Sequence, residues 1–229
     1  MKILALGAHP DDIEIFMYGL VSIYKKEGNK VFTMIATDGS KGGSQGDKFL
    51  AKKRENEAIE GLKQLSKPIF LDIPDGELGE DLDHKKIIKE NILKIMPDLI
   101  ITHSKYDYHS DHRSLSILTS DVVSHYVPIL YCDTLMGINF NPNYYVDITE
   151  YYLSKEEAIL KHKTQNPQRF VDMFKLMNSY RAAQCNAPKG RYAEAYSFEP
   201  SFPFTDIRYI LPSPLKLRSF HIDNQHGFL

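Results

Sequence analysis

Short apolar runs separated by longer amphipathic ones set the rhythm of this chain. Residues 3–6 (Ile3, Leu4, Ala5, Leu6) form the unbroken apolar run of a strand buried on both faces, and residues 13–20 read as the helix that follows. Gly28 and Asn29 end that helix, and residues 31–37 predict a second strand. From residue 48 to 65, Ala51, Ala58, Ile59, Leu62 and Leu65 fall on one helical face, with Lys52, Lys53, Glu55 and Glu60 largely opposite. Residues 68–72 predict a third strand with a Pro-Asp-Gly turn, residues 85–96 a helix with Ile88, Ile92 and Ile95 inward, and residues 98–103 a fourth strand. A helical run over 115–123 comes next. Residues 129–134 and 144–148 predict further strands of undetermined direction, and 154–163 and 168–185 predict helices, the second with Phe170, Phe174 and Met177 inside. From Glu199 onward four prolines exclude a long helix and leave an extended arm or irregular strand.

The alternation of strand and helix over the first 120 residues predicts a single Rossmann-like α/β domain. Its sheet is mostly parallel and helices cover both faces, because each right-handed crossover needs one. In such folds ligands sit at the carboxyl ends of the strands. Two chemically loaded segments fall at that edge: His9, Asp11 and Asp12 after the first strand, and His109, Asp111 and His112 after the fourth. Pro10 suits the start of a helix and fixes φ there. Adjacent carboxylates beside an imidazole are costly in a corner without a cation. His9 and Asp12 with His112 or His109 offer the two imidazoles and one carboxylate of a catalytic Zn²⁺ site, which leaves a position for water. Asp11 is then placed as general base, and the remaining histidine, paired with Asp111, as proton donor and oxyanion partner. Metal-assisted hydrolysis of an acyl bond is the reaction these parts describe.

The run Ala8, His9, Pro10, Asp11, Asp12, Ile13, Glu14, taken with His109, Ser110, Asp111, His112 and Arg113, resembles the LmbE-like, or PIG-L, family of zinc-dependent N-deacetylases. Weaker family features occur in order. Arg54 and Glu57 match an Arg-x-x-Glu helix, residues 71–78 the turn after the third strand, residues 162–165 a His-x-Ser-Gln element, and residues 192–195 a Tyr-Ala-Glu-Ala element. The resemblance covers residues 1–198 as the deacetylase domain and leaves 199–229 as a C-terminal extended tail packed on the same domain. It implies that His9, Asp12 and His112 bind Zn²⁺, that Asp11 is the base, and that His109, tuned by Asp111, is the acid and oxyanion partner. It further implies an N-acetylglucosaminyl substrate that releases acetate and a free amine, with Arg54 contacting it and Thr37, Asp38, Gly39 and Ser40 bordering the sugar pocket. Ser110 stands where proline is common in the family and Thr164 where serine is usual; neither change removes a catalytic group.

Composition narrows the partners. The chain has 229 residues, 42% of them apolar, enough for one large domain with its own core. A net charge of −2 provides no basic field for nucleic acid or an anionic membrane, so a small amino-sugar substrate fits better. Cys132 and Cys185 are far apart and lack CxxC spacing, which predicts reduced thiols in a cytoplasmic protein. No segment is expected to be a signal peptide or a membrane span, and a homo-oligomer is compatible with the chain. Two other functions share parts of this pattern. The same two histidines and carboxylate describe a non-haem iron oxygenase, although such sites usually sit on all-β frames. A sugar- or nucleotide-binding module shares the architecture, but no GxGxxG follows the first strand, and acids there repel phosphate. His103 and His162 are expected to support the site or wall its pocket. His84, His125, His221 and His226 are read as structural, and Tyr106, Tyr108 and Tyr180 as core or surface residues.

Overall fold

The apolar run after Met1 becomes β1 (Lys2–Gly7), whose Ile3, Leu4, Ala5 and Leu6 are fully buried. Beside it lie β2 (Lys30–Thr37) and then β3 (Ile69–Ile73); on its other side lie β4 (Leu99–Thr102) and β5 (Ile129–Cys132). These five strands are parallel, with Leu4 aligned with Phe32 of β2 and Ile100 of β4. The computed structural model describes residues 1–43, 47–123 and 125–215.

Alternate residues of β1 feed two cores, as the pleat requires. Ile3 and Ala5 join the cluster beneath α1 (Asp12–Phe16), α2 (Tyr18–Lys26), α3 (Leu50–Leu62), α6 (Tyr152–Ile159) and α7 (Pro167–Gln184). Leu4 and Leu6 join the cluster beneath α4 (Leu82–Ile95) and α5 (Ser110–Val123). The helix expected over 13–20 is two helices broken at Met17, whose φ of −131° leaves the helical region. The run carries Glu14 and Gly19, but neither stands at Met17 itself.

The sheet continues past β5 in a way the sequence pattern did not predict. Residues 193–198 form β7 (Ala193–Phe198), inserted antiparallel between β5 and β6 (Tyr144–Asp147), which gives the order β3-β2-β1-β4-β5-β7-β6. The strand hides because its Ala-Glu-Ala start lacks β-branched residues and carries a charge that is in fact buried. Glu194 accepts bonds from the Gly19 and Leu20 amides (2.9 and 2.8 Å), the Lys155 ammonium (2.8 Å) and the Tyr196 hydroxyl (2.7 Å). It thereby satisfies the start of α2 where the break at Met17 exposes it.

Residues 199–215, the described part of the tail, are largely irregular, as the prolines require, and fold back on the domain. Ile207 and Ile210 belong to the same core as Ile3, and Tyr24 and Tyr144 donate to the carbonyls of Ile210 and Pro212. His221 and His226 lie outside the described residues. Among the described residues no helix is long and apolar enough to cross a membrane, and Cys132 and Cys185 are unpaired with each other.

Candidate active site

The corner after β1 is held by backbone and buried side chains together. Thr37, at the end of β2, donates both its amide and its hydroxyl to the Ala8 carbonyl at 2.8 Å, and His9 donates its amide to Asp12 Oδ2 at 2.6 Å. Asp11 adopts φ 135°, ψ −23°, a region that costs a non-glycine residue on the order of 1–3 kcal/mol and persists only where the surroundings impose it. Arg54, reaching from α3 and only 3% exposed, imposes it. Its Nη2 donates to the Pro10 carbonyl (2.8 Å) and lies 3.3 Å from Asp11 Oδ1, while Nη1 donates to Gly39 (2.9 Å). Gly39 has φ +64°, and a Cβ there would come within 2.7 Å of Arg54 Nη1. Arg54, expected to contact substrate, lines the cavity, and its hydrogen bonds go to the corner, where it acts as a clamp. Arg54→Lys keeps the charge and loses the fork, and kcat is expected to fall about 10²-fold with little change in KM. Steady-state kinetics decide, since loss of a substrate contact would raise KM instead.

Three side chains converge beside Asp11. His9 Nδ1 and His112 Nε2 are 3.2 Å apart, and the Asp12 carboxylate meets them with different oxygens, Oδ2 at 3.3 Å from His9 Nδ1 and Oδ1 at 3.3 Å from His112 Nε2. Ligands of a tetrahedral ion bound at about 2.0–2.1 Å stand roughly 3.3 Å from one another. Each of the three is also braced from behind. His9 Nε2 faces Asp111 Oδ2 (3.1 Å) and Asp75 Oδ1 (3.4 Å), His112 Nδ1 faces Asp107 Oδ2 (3.2 Å), and Asp12 Oδ2 meets His103 Nε2 (3.1 Å). Carboxylates behind the distal nitrogens are the usual support of metal-binding histidines. Among the described residues, three sets of this cluster place one donor from each member within 4.8 Å of one another: His9, His109 and His112; Asp12, His103 and His112; His9, Asp75 and Asp111.

The Asp111 carboxylate thus pairs with His9 and with the Gly76 amide (2.8 Å), not with His109 as expected. Its link to His109 is through the backbone: the Asp111 amide donates to His109 Nδ1 at 3.3 Å. This leaves Nε2 as the protonated nitrogen of a neutral His109. A cavity of about 400 Å³ opens over the cluster, lined among others by His9, Asp11, His109, Tyr108, Gln165, Arg169 and Phe170. Thr37, Asp38, Gly39 and Ser40 do not line it, because they support the corner from behind; their neighbours Lys41 and Gly42 do. Asp75 and Asp107 carried no assigned role in the sequence, although both lie in loops at the expected sheet edge.

Burial opposes charge on every group here, and the neighbours decide the outcome. It would raise Asp12, yet His112 and His103 hold that carboxyl well below its usual range. Asp11 is pushed up by burial, with Arg54 pulling against it. His109 is lowered by burial and by His9 and His112. Burial would lower His112 too, but Asp12 and Asp107 lift it to about 9, and Asp111, Asp12 and Asp75 likewise lift His9 well above its usual value. Protons on both facing nitrogens would set N–H against N–H at 3.2 Å. One divalent cation in that gap satisfies both imidazoles and the carboxylate, so the residues fit such an ion.

Behind the corner, Glu14 and His162 form a buried pair at 2.7 Å, for which Gly61 makes room: a Cβ there would lie 2.4 Å from Glu14 Oε1. Burial lowers the His162 pKa, but Glu14 overrides it and raises the value above 6.5. The stabilisation is therefore full below about pH 6.5 and is lost as pH rises through the raised folded value. Denaturant midpoints from pH 6 to 9 should fall less steeply in His162→Gln than in the wild type; equal slopes contradict this.

Residues 4–123 match the model of the family described as GlcNAc-PI de-N-acetylase, PIG-L, over more than half of the chain. The chain belongs to the PIG-L family. A curated relative, the diacetylchitobiose deacetylase of Thermococcus kodakarensis, is 27% identical over 228 residues, covering 87% of this chain and 83% of that one. The N,N'-diacetylchitobiose deacetylase of Pyrococcus horikoshii, solved with an inhibitor, has the same fold (TM-score 0.76, 24% identity, 87% of this chain and 84% of that one). So does the 4-carboxy-2-hydroxymuconate hydratase GalB of Pseudomonas putida (TM-score 0.76, 18% identity, 95% and 99%). The PIG-L fold thus appears with more than one named chemistry, and the reaction has to be argued from the site.

Proposed function

We propose that this chain is a zinc-dependent N-deacetylase that removes an acetyl group from an N-acetylated amino sugar, of the N-acetylglucosaminyl type, or from its conjugate. The observation that carries the reading is the mutual 3.2–3.3 Å approach of His9 Nδ1, the Asp12 carboxylate and His112 Nε2, with Asp11 alongside. Relatives named as deacetylases support it. We take the enzyme to act in the cytoplasm on a small substrate.

His9, Asp12 and His112 would hold the ion, which when bound supplies Lewis acidity toward an acyl oxygen and a water. Asp11 takes a proton from the attacking water and, in place of the His109 expected as the acid, passes it to the departing nitrogen as the C–N bond breaks. Acetate and an amine result, and the carboxylate is regenerated. His109, its Nδ1 engaged by the Asp111 amide, offers Nε2–H to the oxyanion that develops on the acyl oxygen. The Arg54 clamp keeps Asp11 in its strained position throughout. Walls made of Phe16, Leu135 and Phe170 limit water around the reacting groups.

Incubation with a methyl N-acetylglucosaminide and with N,N'-diacetylchitobiose tests the reading. Acetate and primary amine are expected in a 1:1 ratio. Failure to release acetate from either would overturn it, and hydration of an unsaturated acid instead would place the chain with the hydratase.

A further inference from the structure

Phe16, Leu135 and Phe170, the apolar walls of the reacting corner, are fixed in place by different means. Phe16 packs edge-on against the His112 ring (5.9 Å between centroids) and against Phe174 of α7 (5.2 Å), and Phe170 stands on α7 itself. Leu135 instead opens a single 3₁₀ turn (Leu135–Gly137) just beyond β5. The neighbours Met136 and Ile138 are 50% and 54% exposed, so this turn has little apolar surface with which to anchor itself. Its backbone is also strained. Met136 (φ 56°) and Asn139 (φ 57°) adopt left-handed values on either side of Gly137 (φ 69°), and such residues keep them only where the surroundings impose them.

A buried ion pair imposes them. Asp133, the first residue after β5, and Arg181 of α7 are each 4% exposed. Arg181 donates from Nε to Asp133 Oδ2 (2.6 Å) and from Nη2 to Oδ1 (3.1 Å), a two-pronged contact that fixes direction as well as distance. The same Oδ1 accepts the Thr134 amide at 2.9 Å, and the Thr134 hydroxyl closes the turn on the Ile138 carbonyl at 2.6 Å. Gly137 lies against the guanidinium, where a Cβ would come within 2.7 Å of Nη2. Neither Asp133 nor Arg181 lines the cavity. A buried ion pair gives little net stability over an apolar one, so its place behind a cavity wall calls for another role.

Resting on the deacetylase reading, we propose that Asp133 and Arg181 are positioning residues for the reaction: they tie the Leu135 turn to α7, the helix that carries Phe170 and backs Phe16. The three apolar groups then exclude water from the metal corner as one unit, and the turn cannot drift away from the other two.

The test measures acetate release from N,N'-diacetylchitobiose, metal content and amide hydrogen exchange, below the melting transition of every variant. In Arg181→Gln kcat should fall roughly 10- to 100-fold with KM nearly unchanged, and Arg181→Lys should recover part of it. Leu135→Ala should lose a similar factor, and adding Arg181→Gln to it should cost no more than about threefold further, because both remove the same wall. Exchange should quicken over residues 134–139 and stay slow in β1 and β4. Where Arg181→Gln fails to fold, the Asp133→Asn, Arg181→Gln double variant avoids a lone buried charge, and Gly137→Ala disturbs the clamp with both charges kept; each should show the same local exchange and the same loss of kcat. Wild-type kcat in these variants, losses that multiply with Leu135→Ala, or faster exchange spread over the whole chain overturns the proposal while leaving the deacetylase reading intact. A wild type that releases no acetate overturns that reading and this role with it.

Discussion

Asp11→Asn should retain its metal and lose about 10²–10⁴ of kcat, the range over which general bases contribute. Asparagine is nearly isosteric and is among the residues that tolerate positive φ, so the corner at φ 135° should survive the change. The capacity to accept a proton from water disappears, together with the charge that faces Arg54, whose bonds to the Pro10 and Gly39 carbonyls remain. The neighbouring ligand Asp12 keeps its bonds from the His9 amide and from His103, which explains why metal content should not follow activity. Acetate-release kinetics measured beside elemental analysis decide the matter. Wild-type turnover would remove Asp11 from the mechanism, and loss of metal together with turnover would move it among the ligands.

Glu194→Ala is expected to cost about 3–5 kcal/mol of stability, because it leaves the Lys155 ammonium buried without its counter-charge. Lys155 is 1% exposed and ion-pairs, among the described residues, with Glu194. The Gly19 and Leu20 amides and the Tyr196 hydroxyl lose their acceptor at the same time. For a chain of this length the melting temperature should drop on the order of 10 °C. A Lys155→Met, Glu194→Leu double variant should recover part of that loss, since an apolar pair of similar volume avoids the desolvation of both charges. Thermal and urea unfolding of the three variants check this, and a shift of less than 2 °C in Glu194→Ala would show that the network contributes little.

The parallel half of the sheet was readable because β1, β2 and β4 are short apolar runs bounded by turn residues, a pattern few other elements produce. What escaped notice has physical causes in particular residues. The break at Met17 lies inside a mostly apolar segment, where Gly19, two residues on, was the one local signal. β7 begins Ala193, Glu194, Ala195, and alternation with a charge normally means a solvent-facing side chain; here Glu194 points into a buried cluster of donors. In the site, His9, Asp12 and His112 were legible because strand order brings their two loops to one edge. The braces were not, since Asp75 reaches His9 and Asp107 reaches His112 only after loops fold over the strand ends. Arg54 shows the limit in the other direction. Its presence on α3 was plain, but only the carbonyls of Pro10 and Gly39 reveal that it clamps the corner of Asp11.

One metal ion, held by His9, Asp12 and His112, is proposed to support the removal of an acetyl group. The most direct measurement is acetate release from N,N'-diacetylchitobiose by chelated protein, titrated with zinc, in the wild type and in His112→Ala. Activity of the wild type should rise from baseline to a plateau at one equivalent of zinc, and His112→Ala should stay at baseline throughout. Full activity in the chelated wild type, or recovery of His112→Ala at the same one equivalent, would contradict the account.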